Sequence, residues 1–152
     1  MQVWADLGCG SGTFTYALAT RLNPNSVIYA VDQEHQILQP TYNQVEISFI
    51  QSDFLKGIDQ LPMMHGVLMA NSLHFVEEKA GFLARLRKKL FNNGEIMVVE
   101  YESTRPNQWV PFPVNFEALT LLMKEMGINS IEKIGERSSI YQDKIYAAHV
   151  SL

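Results

Sequence analysis

The sequence reads DLGCGSGTF at residues 6–14, directly after a short apolar run that begins at Val3. Glycines fall at alternate positions, Gly8, Gly10 and Gly12. Glycine lets the chain turn sharply and approach a ligand with no Cβ in the way. Val3–Leu7 reads as a strand. Thr13–Leu22 reads as a helix with Phe14, Ala17, Leu18 and Leu22 on one face, stopped by Asn23 and Pro24. A glycine loop between a strand and a helix is the setting of a nucleotide-type cofactor site.

Outward from that loop, short apolar runs alternate with amphipathic stretches. Val27–Val31 is a second strand, Val45–Ile50 a third and Gly66–Ala70 a fourth. Gln33–Asn43 reads as a helix whose length Pro40 limits. Leu83, Leu86 and Leu90 are spaced as one helical face. Glu77 and Glu78 lie near the start of that helix, and Arg85, Arg87, Lys88 and Lys89 near its end. This polarity complements the helix dipole, so the basic run is a solvated face rather than a binding patch. Asn92-Asn93-Gly94 is a turn, and Glu95–Tyr101 a fifth strand whose Ile96, Met97, Val98 and Val99 are contiguous, as in a strand covered on both faces. Asn115 is an N-cap, with Val114 and Leu119 as a hydrophobic staple. Phe116, Leu119, Met123 and Met126 form the stripe of the helix that Gly127 ends. Ile128–Ile134 and Lys144–Val150 are final strands, antiparallel to each other. The alternation predicts an α/β, doubly wound, mostly parallel sheet with helices on both faces. Such sheets bind ligands outside the carboxyl ends of their strands.

With 152 residues, 47% of them hydrophobic and 18% charged, the chain suits one globular domain. A net charge of -4 gives no electrostatic footprint for nucleic acid. No apolar run reaches the roughly 20 residues of a membrane span, and no signal peptide is evident. The single cysteine, Cys9, forms no internal disulfide and has no evident partner base, so its role is structural; the expected compartment is the cytoplasm. His35, His65 and His149 have no metal-like spacing, and no metal is expected.

The cofactor can be narrowed from the residues themselves. Asp32 ends the second strand, where a carboxylate accepts hydrogen bonds from ribose hydroxyls. In the dinucleotide pattern G-x-G-x-x-G, the third glycine position is here Thr13. Asp6 precedes the first glycine, which sits poorly with a pyrophosphate and suits a ligand with an ammonium group. S-adenosylmethionine has a ribose, an ammonium and a sulfonium, and no phosphate.

VWADLGCGSGTFTYALA resembles motif I of the class I S-adenosylmethionine-dependent methyltransferases. VDQ at 31–33, QSDF at 51–54, VLMANSLHF at 67–75 and LRKKLFNNGEIMVVEY at 86–101 are similar to the later motifs, in order. VVEY followed by WVPFP resembles a poorly characterised branch of that family and carries no substrate information. The resemblance implies a seven-stranded sheet of order 3-2-1-4-5-7-6 with strand 7 antiparallel. It implies that Asp6 serves the methionine end and that Gly8, Gly10 and Gly12 shape the loop, with Thr13 beside them. By the same resemblance Asp32 holds the ribose, Gln33 lies against the adenine, and Asp53 accepts from the adenine amino group with Ser52 and Phe54 alongside. The Asn71 carbonyl would meet the ammonium.

Family members carry helices before the first strand that cover the cofactor. Here the first strand starts at Val3, so a single domain over 1–152 without those cap helices is expected. Its pocket is then open, covered by another chain such as a second copy, or that of a truncated form. The expected activity is methyl transfer from S-adenosylmethionine to a small-molecule acceptor, with S-adenosylhomocysteine as product. His74, after the fourth strand, is the candidate base. Tyr16, Glu100, Tyr101 and Trp109 are the candidates for touching the acceptor, Trp109 from the stiff aromatic loop ESTRPNQWVPFPVNF. Two rivals stand beside this reading: a non-catalytic cofactor-binding subunit that needs a partner chain, and an NAD(P)-dependent oxidoreductase on the same kind of sheet.

Overall fold

Apolar runs bounded by Gly, Pro and Asn punctuation become strands of one sheet, and the amphipathic stretches between them pack on its faces. The structure, a computed structural model, describes residues 1–141 and 144–152. In chain order the elements are β1 (Val3–Leu7), α1 (Thr13–Ala19), β2 (Val27–Asp32), β3 (Thr41–Tyr42), β4 (Val45–Gln51) and α2 (Phe54–Gly57). There follow β5 (Met64–Ala70), α3 (Lys79–Arg87), β6 (Leu90–Tyr101), α4 (Phe116–Glu125), β7 (Ser130–Arg137) and β8 (Ile145–Ser151). Single 3-10 turns occupy Ile58–Gln60 and Leu73–Phe75.

The described residues form an eight-stranded sheet of order β3-β4-β2-β1-β5-β6-β8-β7, which corrects the expected seven-strand order. Strands β4, β2, β1, β5 and β6 run parallel, and β8 is antiparallel to both of its neighbours. The additional strand, β3, pairs antiparallel with β4 through a tight turn at Asn43 and Gln44, both at positive φ (49° and 62°). That geometry is the one two-residue hairpins favour.

The same segment contains the largest departure from expectation: no helix forms over Gln33–Asn43. Its backbone N–H groups are taken elsewhere. Glu34 N–H donates to Asp32 Oδ1 at 2.9 Å, and Gln39 N–H to the Tyr16 hydroxyl at 3.0 Å. Pro40 has no N–H to give, and its carbonyl accepts from Ile47.

Smaller corrections have equally local causes. Helix α1 stops at Ala19 and buries Thr15, Leu18 and Ala19, with Leu22 buried beyond its end; Ala17 faces solvent. Leu90 is not helical: α3 ends at Arg87, and Leu90 pairs with Met64 as the first residue of β6. Asn92–Gly94 is a bulge inside β6, where the register jumps from Met64↔Leu90 to Gly66↔Glu95.

The N-cap at Asn115 forms as expected, its side chain accepting from Ala118 N–H at 3.0 Å. Past the end of α4, Gly127 takes φ 76°, and Gly127 and Ile128 donate to the Lys124 and Met123 carbonyls. This is a Schellman stop.

Alternation along each strand splits the core. Ala5, Leu7, Val67, Ile96 and Val98 pack with α3 and α4 on one face, and Trp4, Leu68 and Ala70 pack with α1 on the other. Met97 and Val99 are half-buried on the α1 side, so β6 is covered on both faces, unequally. The basic run at the end of α3 is structural: Arg85 binds the Leu55 carbonyl and Asp59, and Lys89 binds the Leu61 carbonyl. The ends of β1, β2, β4 and β5 converge on one edge, around the point where the chain's crossovers diverge from β1 to either side.

Candidate active site

A cleft of about 290 Å³ opens at that edge, and much of its wall is residues that immediately follow strands. Gly8 follows β1, Asp32 ends β2 and Gln33 follows it, Ser52 and Asp53 follow β4, and Asn71 follows β5; these and Phe54 are the expected residues that line the cleft. Leu55, Ser72 and Phe75 also line the cleft, and the sequence reading did not name them. A signal existed for the last two, since both lie in the stretch that directly follows β5.

The glycine loop is held by backbone geometry. Gly8, Gly10 and Gly12 all have positive φ (83°, 49° and 88°). At Gly8 a Cβ would lie 2.6 Å from Ser72 Cβ, a contact no side chain can make. Gly8 and Cys9 both donate to the Val31 carbonyl, at 2.8 and 3.0 Å, and Gly10 N–H donates to Asp32 Oδ2 at 2.8 Å. Asp32 therefore fastens the loop to the end of β2 while lining the cleft. Each of its oxygens accepts one backbone N–H and keeps lone-pair capacity for a further donor. Asp53 works in a similar way, capping α2 with Oδ1 on Leu55 N–H at 2.9 Å.

Gly10, Gly12, Thr13 and Asp6 do not line the cleft. Asp6 is completely buried, and Thr15 donates to its Oδ2 at 2.6 Å. The sequence reading did not single out Thr15, the partner of Asp6; it is buried one position from the predicted apolar stripe. Burial raises the Asp6 carboxyl to about 6; the Thr15 hydrogen bond opposes this and the Asp32 charge adds to it. Burial, with Asp6 and Asp32 behind it, pushes the Cys9 thiol up to about 12, consistent with a structural cysteine and no nucleophile.

Two buried oxygens at this end have no donor among the described residues: Asp6 Oδ1 and Asn71 Oδ1. Buried acceptors without partners are rare and costly. Asn71 also holds a left-handed backbone (φ 55°), a strain found where a site is preorganised. No cluster of metal-ligating side chains occurs among the described residues.

Two loops stand beside the cleft. His74 sits on the 3-10 turn Leu73–Phe75, only 3% exposed, with Nδ1 2.8 Å from Glu100 Oε2. The aromatic loop 102–115 is tied to that turn by Phe112 N–H on the His74 carbonyl (3.0 Å) and by Lys79, which donates to the Val76 and Phe112 carbonyls. Asn107 accepts from Trp109 and Val110 N–H, so the loop turns sharply and leaves Trp109 70% exposed.

Two expected acceptor contacts are corrected. Glu100 is entirely buried and spends its carboxylate on His74 and on the Tyr101 N–H, so it cannot meet a substrate. Tyr16 stacks on Tyr42 at 5.0 Å and accepts from Gln39, on the β3–β4 side of the sheet, away from β5 and β6.

A family model described as a methyltransferase domain matches residues 3–143. The chain belongs to the S-adenosylmethionine-dependent methyltransferase family. No curated protein matches the methyltransferase by sequence. Solved structures of the same fold include 1,6-didemethyltoxoflavin-N1-methyltransferase from Burkholderia thailandensis with 1,6-didemethyltoxoflavin and S-adenosylhomocysteine bound (15% identity, TM-score 0.69, 99% of this chain and 70% of that one). An arsenic(III) S-adenosylmethionine methyltransferase from Chlamydomonas reinhardtii aligns at 15% identity and TM-score 0.71, over 99% of this chain and 63% of that one. Precorrin-6y C5,15-methyltransferase from Geobacter metallireducens aligns at 15% identity and TM-score 0.66, over 99% and 80%. At this identity the likeness shows the fold. The family match also disposes of the oxidoreductase rival.

Proposed function

We propose that the cleft holds S-adenosylmethionine and that the enzyme transfers its methyl group to a small-molecule acceptor entering beside the 3-10 turn and the aromatic loop. The observation that carries this reading is a cleft walled by Gly8 of the glycine loop and by two carboxylates at strand ends, Asp32 and Asp53, which keep lone-pair capacity for a ligand's donors. Ribose hydroxyls, an adenine amino group and an ammonium supply donors to such a wall; a pyrophosphate would meet the Asp32 and Asp53 carboxylates with its own charge. The Asn71 carbonyl meets the ammonium, and Asp6 acts on it without contact, as a buried charge beneath the loop. Gly8, Gly10, Gly12 and Thr13 shape the loop, and Asp32 holds the ribose. Gln33, Ser52, Asp53 and Phe54 enclose the adenine, with Asp53 Oδ2 free to accept from its amino group.

Bound there, S-adenosylmethionine supplies an electrophilic methyl on a sulfur that is already a good leaving group. The chain's own residues supply alignment and a closed wall, through which an enzyme gains most in such a displacement. The acceptors named for the three relatives share no common chemistry, so the acceptor has to be read from this chain. Tyr101 and Trp109 are its proposed contacts. A second copy covering the open side of the cleft and a cytoplasmic setting belong to the same proposal.

Replacing Asp32 with alanine should weaken S-adenosylhomocysteine by about 1–3 kcal/mol, since the ribose loses a partner and the loop its fastening. A calorimetric titration reads this directly, and an unchanged dissociation constant would refute the ribose assignment.

A further inference from the structure

Glu100 is a carboxylate with no exposed surface, and such a group persists only with several donors around it. Its donors come from one neighbour above all. His74 gives its backbone N–H to Oε1 at 3.0 Å and faces Oε2 with ring Nδ1 at 2.8 Å; Tyr101 N–H lies 3.3 Å from Oε2. A carboxylate accepts and does not donate, so Nδ1 carries the hydrogen. In the neutral ring Nε2 then holds a bare lone pair.

Nothing in the protein uses that lone pair. Nε2 has no hydrogen-bond partner among the described residues. It is also absent from the buried unpaired polar atoms, which are Trp4 Nε1, Asp6 Oδ1 and Asn71 Oδ1, so it lies in the small part of the ring that reaches the surface. A histidine serving the fold alone would have Nε2 paired or sealed off. Here one nitrogen is fixed by a buried carboxylate and the other is left open, the division of labour by which a base is oriented.

The position suits the task. Ser72 and Phe75, which line the cofactor cleft, flank His74 along the chain, and Phe112 of the aromatic loop is bonded to its carbonyl. His74 itself does not line the cleft; it is the chain neighbour of Phe75, which does, and its carbonyl is bonded to the loop that carries Trp109. Phe75 and Tyr101 lie against it, with ring centroids at 4.4 and 6.1 Å. The titratable groups that face the couple are Tyr101 on β6, Lys79 on α3 and Tyr146 on β8.

We propose that His74 Nε2 is the base of this methyltransferase and Glu100 its positioning carboxylate, and that the acceptor is a neutral oxygen or nitrogen acid, a phenol or a ring N–H, on a planar apolar body. The inference rests on the cofactor reading above. In the step, the acceptor's O–H or N–H bond breaks and its proton passes to Nε2. The freed electron pair forms the bond to the methyl carbon, and the pair of the breaking carbon–sulfur bond stays on sulfur. The imidazolium is stabilised by Glu100 until its proton leaves to water. A thiol, largely ionisable near neutrality, has little need of such a base, which is why the couple points away from sulfur acceptors.

Two readouts test this on the full chain. Nitrogen-15 spectra of histidine-labelled protein should show the neutral His74 ring as the Nδ1–H tautomer, and Glu100→Gln should lose that bias. A wild-type neutral ring held as the Nε2–H tautomer overturns the base. Transfer assays with S-adenosylmethionine then use 4-methylphenol, indazole and thiophenol as acceptors. His74→Asn should lower transfer to the phenol or the ring N–H by about 10²–10⁴-fold. It should leave thiophenol nearly unchanged and S-adenosylhomocysteine affinity within about twofold. Equal phenol and indazole rates in mutant and parent overturn the proposal, as does a parent that accepts the thiol alone. Failure of the parent to bind S-adenosylhomocysteine sinks the cofactor reading instead, and the two failures are thereby distinct.

Discussion

Gly8→Ala should lower S-adenosylhomocysteine affinity at least a hundredfold and destabilise the fold by about 2–4 kcal/mol. Two independent costs add. The backbone at Gly8 has φ 83°, where an L side chain is strained by roughly 1–2 kcal/mol. The added Cβ would also lie 2.6 Å from Ser72 Cβ, an atom one bond from the backbone with little room to retreat. Ser72 cannot shift without loosening the hydroxyl hydrogen bond it gives to the Leu7 carbonyl, which ties the end of β1 to the turn after β5. Relief therefore displaces the glycine loop or the Asn71–Ser72 turn, and both line the cleft. Gly10→Ala is the control: no atom lies within 4 Å of a Cβ there, so only the backbone strain applies. Comparable losses at Gly8 and Gly10 would contradict the steric argument.

Asp6→Asn should weaken the same ligand by roughly 1–2 kcal/mol, the scale of a charge acting without contact at an effective dielectric of about 20, and should also remove most of the pH dependence of binding. The wild-type dependence follows from burial. The Asp6 carboxyl is raised from 3.8 to about 6, so folding favours its protonated form. Its contribution to stability is present below about pH 4 and is lost as the pH rises through about 6. Binding runs in the opposite direction. An ammonium needs the carboxylate, so affinity should be full above about pH 7 and fall by up to tenfold per unit below about pH 6. Titrations from about pH 5 to 8 on both proteins check this. A wild-type curve as flat as that of Asp6→Asn would show that Asp6 does not face the ligand's charge.

Much of this site was readable because its signals are local. Gly8, Asp32, Asp53 and Asn71 each follow a strand whose apolar run is unmistakable, so the topology had only to bring the strand ends together. Asn115 and Gly127 likewise act within one helical turn of themselves. What escaped the reading depends on partners distant in sequence. The stretch 33–40 has the composition of a helix, but Asp32 and Tyr16 take its N–H groups. Leu90 completes a helical spacing and nonetheless joins β6, because Met64 offers it a strand partner. Thr15 looks like one polar residue among others in a helix until its hydroxyl is found on Asp6. Glu100 looked like a substrate contact because it ends a strand; the turn carrying His74 folds over it and seals it.

Everything rests on the cleft taking a phosphate-free nucleoside with an amino-acid tail. Isothermal titration of the wild-type chain with S-adenosylhomocysteine, and separately with NAD, tests that most directly. The account predicts saturable one-to-one binding of S-adenosylhomocysteine and no heat of binding from NAD. Binding of NAD with none of S-adenosylhomocysteine would contradict it.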